Sequence, residues 1–362
     1  MKEPIVIIGA GLSGLYAASL LTSKGMECRV LEARGRIGGR ALTKEVLDRP
    51  GLGKFDLGPT WFWPQYEPVI SHLVKELDLR TFEQHNEGAI LFEQSQTTSA
   101  ERHMLPEGAL QKSVRLVGGV ASLVDAIAGT LPRDTIELNT RVTGILMDED
   151  EKLTITAELA DGKKKRIRAG AIILAIPPRI VAKHITFSPS LPANLIANLA
   201  NTPTWMAGQA KAIAIYKRPF WREDGLSGQV MSWAGPMQEI HDASPGDTDY
   251  GALFGFFGIP AKVRRELGQD VRKLVINQLT NLFGSPAEKP ISLLYKDWAN
   301  DSETAVDADS QPLTEFPNYG PLISPSPWEK KVIFAGTETS SEFGGHLEGA
   351  LRSAERAVLE VL

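Results

Sequence analysis

The feature that most constrains the fold is a glycine motif near the N-terminus, Gly9-Ala10-Gly11-Leu12-Ser13-Gly14, which directly follows an apolar run at residues 4–8. The run predicts a central parallel strand that is buried on both faces, and residues 15–24 have helical spacing. In such a β-α-β unit Gly9 permits the tight turn, Gly11 lets the backbone approach a pyrophosphate, and Gly14 lets the helix pack closely on the strand. The phosphates would lie at the positive helix N-terminus.

Two features after this motif indicate which dinucleotide is bound. Glu32 ends the next apolar stretch, 18 residues after Gly14, where an acid can hydrogen-bond a ribose hydroxyl. Residues 34–40 hold three arginines and two adjacent glycines, which offer cations and exposed N–H groups to a second stretch of pyrophosphate and ring. A nicotinamide cofactor requires less of one loop, so the sequence favours FAD over NAD. The alternative interpretation is a basic surface loop.

Composition and charge exclude several classes of protein. Apolar residues make up 43% and charged residues 23% of the 362 residues, as in globular domains. The net charge of −5 without a long basic run argues against a nucleic-acid surface. Cys28 is the one cysteine and the six histidines show no ligand spacing, so we expect neither a disulfide nor a metal site. No apolar run is long enough to cross a bilayer, and we expect a cytoplasmic protein without a membrane anchor.

The order of patterns along the chain predicts an α/β fold of two domains. A Rossmann-like FAD-binding domain with a parallel sheet is expected from residues 1–80, 114–180 and 290–362. It is interrupted by an α+β substrate domain with a mixed or antiparallel sheet, expected from residues 81–113 and 181–289. Both ends of the chain carry buried strands and glycine turns, whereas the middle supplies strands near 210–216, 228–233 and 251–258 and helices within 261–283.

The last fifty residues predict a second helix aimed at the ligand. Residues 331–338 read as a strand followed by a glycine turn, and residues 344–350 open a C-terminal helix. A helix N-terminus stabilises negative charge, and a reduced flavin ring carries its charge at the N1/C2=O edge. The alternative is a plain terminal helix with a glycine-rich cap.

Six motifs follow one another along the chain. They are Gly9-x-Gly11-x-x-Gly14, Leu31-Glu32-Ala33-Arg34-x-Arg36-x-Gly38-Gly39-Arg40, Asp56-Leu57-Gly58, Ala175-Ile176-Pro177-Pro178, Tyr216-Lys217-x-Pro219-Phe220-Trp221 and Phe334-Ala335-Gly336-Thr337-Glu338 with Glu348-Gly349-Ala350. In this order and spacing the chain resembles the flavin-containing amine oxidases, the superfamily of monoamine oxidases, polyamine oxidases and L-amino-acid oxidases. The resemblance runs from end to end of the chain.

The resemblance implies a set of residues that hold FAD. Leu12 and Ser13 would bind the pyrophosphate, Glu32 the adenosine ribose and Arg40 the phosphates. The flavin ring would be edged by residues 58–61, and Val142 would meet the adenine through its backbone. The full expected set is Gly9, Gly11, Leu12, Ser13, Gly14, Glu32, Ala33, Arg34, Gly39, Arg40, Gly58, Pro59, Thr60, Trp61, Val142, Gly336, Thr337, Glu338, His346 and Leu347. The FAD is expected to be non-covalent, because Cys28 lies near the adenine half and cannot reach the ring.

The resemblance also implies catalytic and substrate-binding residues. In Tyr295-Lys296-x-Trp298 the lysine matches the family's active-site lysine, which holds a water against flavin N5. Lys211, in an apolar strand, is a rival lysine that is expected to be structural. His346 takes the place of an aromatic wall residue. The expected catalytic residues are Lys296, Trp298 and His346, and the substrate would lie against Trp61, Phe343 and His346.

The predicted activity is FAD-dependent oxidation of a C–N bond in an amine or amino-acid-like substrate, by hydride transfer to flavin N5. Dioxygen is the expected acceptor and hydrogen peroxide the product. Two alternatives stay open at this point. One is a C–C desaturase or protoporphyrinogen-oxidase-like enzyme, and the other is a flavin-binding protein without turnover.

Overall fold

The computed structural model describes residues 3–106, 108–311, 313 and 315–362. Its helices are α1 (Leu12–Ser23), α2 (Pro68–Glu76), α3 (Ala121–Gly129), α4 (Pro178–His184), α5 (Ala193–Asn201), α6 (Phe220–Glu223), α7 (Ala261–Leu267), α8 (Asp270–Phe283) and α9 (Leu347–Val361).

The strands begin with β1 (Ile5–Ile8), β2 (Cys28–Leu31), β3 (Thr43–Lys44), β4 (Phe55–Asp56), β5 (Thr81–Glu83), β6 (Ala89–Glu93), β7 (Glu101–His103), β8 (Val114–Leu116), β9 (Ile136–Glu137) and β10 (Thr140–Met147). They continue with β11 (Leu153–Leu159), β12 (Lys164–Ala169), β13 (Ala171–Leu174), β14 (Thr186–Ser188), β15 (Ala210–Tyr216), β16 (Leu226–Ser232), β17 (Met237–Asp242), β18 (Gly251–Phe257), β19 (Ser292–Asp297) and β20 (Val332–Phe334).

A parallel sheet of five strands, in the order β20-β13-β1-β2-β9, forms the core of the first half. β1 is buried on both faces: Ile5 and Ile7 pack in the cluster that contains α1, α3 and α9, whereas Val6 and Ile8 pack toward β10, β11 and β12. This double burial is the physical reason for the continuous apolar run. The predicted Rossmann-like parallel sheet is confirmed.

A second, four-stranded sheet in the order β12-β11-β10-β14 covers the other face of the parallel sheet. The apolar pattern of residues 135–146 is compatible with one continuous strand. Instead the chain turns at Asn139, which has φ +54°, so that β9 joins the parallel sheet and β10 the second sheet. Asparagine tolerates this left-handed conformation better than most residues.

The second half is built on a mixed sheet of seven strands, in the order β19-β15-β18-β17-β16-β6-β7. Every pair is antiparallel except β16 with β6. Val275 and Leu279 of α8 pack on one face, and the opposite face carries Ile213 and Phe254, which meet the segment around Phe55. The predicted mixed sheet is confirmed, and its inner face is directed at the nucleotide-binding half.

Two predicted domain boundaries need correction. β19 pairs with β15, so residues 292–297 belong with the seven-stranded sheet and the boundary expected at residue 290 is too early. β14 pairs with β10, and Leu195 and Leu199 of α5 share a core with the parallel sheet, so residues 186–201 belong with the first half. Strand pairing between distant segments decides both positions. Among the described helices, none combines the length and apolar composition needed to cross a membrane.

Candidate active site

A cavity of about 360 Å³ extends from the turn after β1 to the inner face of the seven-stranded sheet. Most of the residues that the sequence singled out line it. From the expected cofactor set these are Gly9, Gly11, Leu12, Ser13, Glu32, Arg34, Gly39, Arg40, Gly58, Pro59, Thr60, Trp61, Gly336, Thr337, His346 and Leu347. Trp298 lines it as well. The cavity has one end rich in glycine and charge and another end rich in aromatic rings.

The charged end is organised around the carboxylate of Glu32, which is 3% exposed. Its Oε2 accepts a hydrogen bond from the Ala10 N–H at 2.8 Å, and its Oε1 accepts one from the Arg34 N–H at 2.9 Å. These bonds hold the acid at the end of β2 beside the glycine turn. A Cβ built on Gly11 would meet no heavy atom within 4 Å, so the backbone borders open space there. Both features suit a ribose and a pyrophosphate.

Two helix N-termini converge on this cavity. Leu12 and Ser13 begin α1, and Gly11 at its N-cap brings no side chain to cap the helix, so backbone N–H groups face the cavity. Leu347 begins α9 and also lines the cavity, as the C-terminal pattern predicted. The positive ends of both helices can stabilise an anion.

Four expected cofactor residues, Gly14, Ala33, Val142 and Glu338, do not line the cavity. A Cβ on Gly14 would lie 2.0 Å from the Gly9 carbonyl oxygen, so this glycine serves helix packing, as the motif predicted. Val142 lies on β10 of the four-stranded sheet and is buried in the core that this sheet shares with the parallel sheet. Glu338 contacts a cavity residue without lining the cavity itself. Its carboxylate is 1% exposed and forms a bidentate ion pair with Arg40, which does line the cavity.

The aromatic end contains a buried lysine, Lys211 of β15, which is 1% exposed. Its Nζ donates to the Gly58 carbonyl oxygen at 3.0 Å and to Thr60 Oγ1 at 2.5 Å, and it lies 3.8 Å from the centre of the Phe254 ring. Burial lowers the pKa of Lys211 to about 7, and the carboxyl of Asp56 only partly opposes this effect. The amine can therefore gain or lose a proton near neutral pH.

Lys296, the lysine expected to be catalytic, is not among the residues that line the cavity. Its Nζ donates to Asp301 Oδ2 at 2.8 Å, and Asp301 also forms an ion pair with Arg34. The ammonium lies 4.7 Å from the ring centre of Trp298, a residue that does line the cavity. The ammonium of Lys296 is thus engaged by Asp301, whereas Lys211, expected to be structural, lines the cavity.

His346 lines the cavity at the N-cap of α9, but Phe343 does not. The two ring centres are 6.1 Å apart, so Phe343 packs beside the imidazole without bordering the cavity. The Nδ1 atom of His346 lies 2.9 Å from Oε1 of Glu67, a carboxyl group that is 1% exposed and also borders the cavity. Nothing in the local sequence around Glu67 links it to residue 346, so its place in the site could not be predicted.

Further lining residues that were not expected from the sequence are Trp63, Trp205, Met206, Gln209, Phe256, Glu303 and Thr304. Phe254 and Phe256 are two residues apart on β18, and the apolar pattern of this strand predicts only that both belong to the core. Thr304 accepts a hydrogen bond from Arg34 at 2.8 Å, which places the segment after β19 beside the charged end. One sequence signal could have placed Lys211 at the cavity. Lys211 alternates with Ile213 and Ile215 along β15, and residues at this spacing share one face of a sheet, here the inner face.

The chain matches the model of the flavin containing amine oxidoreductase family over residues 86–362 and that of an NAD(P)-binding Rossmann-like domain over residues 7–77. The AofH protein of Mycobacterium tuberculosis, which is named as a flavin-containing monoamine oxidase, is 26% identical over 99% of this chain and 96% of its own length. Putrescine oxidase of Kocuria rosea is 24% identical over 100% of this chain and 95% of its own.

The fold comparison agrees with the sequence comparisons. A solved structure of putrescine oxidase superimposes with a TM-score of 0.81 at 22% identity, covering 100% of this chain and 99% of that one. A family match over residues 86–362, together with a cavity that joins a dinucleotide-binding turn to an aromatic end, leads to one conclusion. The chain belongs to the flavin-containing amine oxidoreductase family and is an FAD-dependent amine oxidoreductase.

Proposed function

We propose that this chain oxidises the C–N bond of a small amine at the aromatic end of the cavity, with dioxygen as electron acceptor and hydrogen peroxide as product. The observation that carries the proposal is Lys211, a lysine buried between aromatic rings and open to the cavity. FAD, when bound, supplies the redox chemistry by accepting two electrons from the amine. The chain itself supplies binding, orientation and electrostatics.

The residues present suit FAD along the length of the cavity. We propose that Gly9, Gly11, Leu12 and Ser13 hold the pyrophosphate at the N-terminus of α1, and that Glu32 binds the adenosine ribose. Arg34, Gly39, Arg40, Gly336 and Thr337 would complete the phosphate and sugar contacts, and Gly58, Pro59, Thr60, Trp61, His346 and Leu347 would border the ring. We propose non-covalent attachment.

Lys211 is proposed to stabilise negative charge that develops near it during reoxidation. An ammonium has three N–H donors, and the Gly58 carbonyl and Thr60 hydroxyl accept two of them. The third can serve a water or a reacting oxygen species. A positioned charge in a site shielded from bulk water contributes more than the same charge in solution. Lys211 takes the role that the sequence pattern assigned to Lys296.

The aromatic side chains are proposed to bind the carbon skeleton of the amine. Trp61, Phe256 and Trp298 line the cavity near Lys211, and the Trp298 indole N–H donates to the Leu57 carbonyl oxygen at 2.9 Å, which fixes the ring. His346 is proposed to contact the polar part of the substrate. Phe343 would support His346 rather than touch the substrate, because it does not border the cavity.

The proposal is tested by anaerobic reduction of the flavin. Purified holoenzyme is mixed with single amines from a panel of alkyl, aryl and diamine substrates and of amino acids, and the loss of flavin absorbance is followed by stopped flow. At least one amine should bleach the flavin, and admission of dioxygen should restore the colour with stoichiometric hydrogen peroxide. If the flavin is bleached by an amine but its absorbance does not recover rapidly in air, the enzyme is a dehydrogenase and not an oxidase. If none of the amines bleaches the flavin, the proposed amine oxidation is contradicted.

A further inference from the structure

We propose that Glu67 is a positioning residue: it holds the His346 ring with Nδ1–H directed at the carboxylate, so that Nε2 accepts a proton from the ammonium group of the substrate. This inference rests on the proposed amine oxidation at the same cavity. It adds a proton acceptor for the substrate and a residue that orients it.

The carboxylate of Glu67 is itself fixed on both oxygens. Oε2 accepts a hydrogen bond from the Trp63 N–H at 2.7 Å, and Oε1 lies 2.9 Å from His346 Nδ1. The Trp63 amide can only donate, and an ionised carboxylate can only accept. Toward an ionised carboxylate, Nδ1 is therefore the atom that carries the proton. Glu67 precedes α2 and is 1% exposed, so water competes poorly for these bonds.

The backbone of His346 is anchored independently of its ring. Its N–H donates to the Phe343 carbonyl at 3.0 Å, and its carbonyl oxygen accepts from Thr337 Oγ1 at 2.9 Å. The ring centre is 5.7 Å from that of Trp63. With the backbone and Nδ1 both held, the ring has little freedom, and its Nε2 has no hydrogen-bond partner among the described residues. The side chain is one-third exposed, in a cavity-lining position.

This arrangement suits the proton chemistry that amine oxidation needs. Free alkyl amines are mostly protonated at neutral pH, as the lysine value of about 10.4 indicates. An ammonium nitrogen has no lone pair, so its proton must leave before the C–N bond can be oxidised. In the proposed step the substrate N–H bond breaks and an Nε2–H bond forms, and the positive charge moves from the amine to the imidazole. Glu67 then faces an imidazolium, which its charge stabilises.

The other charged groups around His346 are mostly committed to partners. On α9, Glu348 forms an ion pair with Arg352, which also pairs with Glu342. On the turn before α9, Glu338 pairs with Arg40. Lys211, on the seven-stranded sheet, lines the same cavity, and its Nζ donates to the Gly58 carbonyl oxygen and to Thr60 Oγ1. Glu67 is the carboxylate in contact with the imidazole.

The first experiment determines the tautomer of the His346 ring directly and does not depend on enzyme activity. Holoenzyme labelled with ¹⁵N-histidine is studied by long-range ¹H–¹⁵N correlation, and His346→Gln assigns the ring among the six histidines. We expect protonated Nδ1 and bare Nε2 in the neutral ring of the wild-type protein. Glu67→Gln should release this preference, and Glu67→Asp should keep part of it. A wild-type ring protonated at Nε2 would overturn the proposal even if neither Glu67 variant folds.

The second experiment measures kcat/KM against pH with the best amine from the panel. His346→Gln should lower kcat/KM about 10²-fold at pH 7, a common contribution of a general base. Glu67→Gln should lower it about tenfold, because a misdirected ring accepts the proton less often. Both losses should shrink toward pH 10, where solution has already deprotonated the amine. Losses that stay constant with pH would overturn the proposal.

The matched control is Glu239→Gln, which removes the carboxylate from another histidine. Glu239 Oε1 lies 2.6 Å from His241 Nε2, and neither residue lines the cavity. This variant should keep kcat/KM within about threefold of wild type, and an equal loss in both glutamate variants would count against a specific role for Glu67. The two proposals fail differently: absence of flavin reduction by any amine refutes the proposed function, whereas normal turnover in Glu67→Gln refutes only this inference.

Discussion

Lys211 and Lys296 are direct cross-strand neighbours on β15 and β19, yet only the first of the two borders the cavity. Paired residues in an antiparallel ladder project from the same face of a sheet. Their ammonium groups have different acceptors: Gly58 and Thr60 for Lys211, and Asp301 for Lys296. The two lysines can therefore be used to test whether a positive charge matters only where it lines the cavity, because each lysine is the control for the other.

Replacement of Lys211 by methionine removes the charge and keeps an unbranched side chain of similar length. We expect Lys211→Met to bind FAD and to be reduced by amine at a rate close to wild type. Reoxidation by dioxygen should slow by about 10² to 10³, as when one well-placed electrostatic group is lost from a buried site. Stopped-flow measurement of the two half-reactions separates these effects.

Lys296→Met is the matched control for this prediction. Because Lys296 donates to Asp301 and does not line the cavity, its loss should change the reoxidation rate by no more than about threefold. FAD content, read from the ratio of flavin to protein absorbance, should be full in both variants. A slow Lys296→Met and a normal Lys211→Met would restore the assignment made from the sequence.

The low pKa of Lys211 predicts a pH dependence of stability. Burial lowers this pKa to about 7, whereas the unfolded chain has the ordinary value of about 10.4. Between these values the unfolded state holds a proton that the folded state has released, so the free energy of unfolding rises with pH. The contribution should approach about 1 kcal/mol per pH unit across this window.

Urea unfolding of FAD-free protein at pH 7 and pH 9.5 checks this prediction. Other groups titrate in the same range, so the informative quantity is the difference between wild type and Lys211→Met. The wild-type protein should gain more stability with rising pH than the variant does. Identical pH dependence in the two proteins would show that Lys211 keeps an ordinary pKa.

Glu32→Gln should weaken FAD binding. A glutamine has a single oxygen, so it cannot accept from both the Ala10 and Arg34 N–H groups as the carboxylate does. Hydrogen bonds to charged groups contribute about 1.5–3 kcal/mol, which corresponds to a rise in Kd of roughly 10- to 100-fold. Fluorescence titration of FAD into apoprotein measures this, and Glu27→Gln, at the exposed position before β2, serves as the control.

FAD should be released when the protein is denatured. Cys28, the one thiol of the chain, is buried on β2, where its Sγ lies 3.7 Å from the Ala18 carbonyl oxygen, and it does not line the cavity. After precipitation with acid, the yellow colour is expected in the supernatant. Colour retained in the pellet would contradict the prediction and require mapping of the linked residue.

The nucleotide-binding half could be predicted from the sequence because its determinants are contiguous. The run at β1, the turn at residues 9–14 and Glu32 at the end of β2 belong to one β-α-β unit, whose parts contact each other through local chain geometry. The same holds for the strand, turn and helix that end in α9. Local periodicity and glycine spacing encode such units directly.

The aromatic end could not be predicted in this way, because its side chains come from segments far apart in the chain. The pairing of β15 with β19 makes Lys211 and Lys296 neighbours, and the packing of the two halves leaves Lys211 at the cavity. Glu67 and His346 are 279 positions apart, and no local pattern links them. The sequence by itself determined the dinucleotide-binding fold and the family, which depend on short-range spacing. Only the tertiary structure decided which ionisable groups meet in the cavity, since that depends on long-range packing of the two sheets.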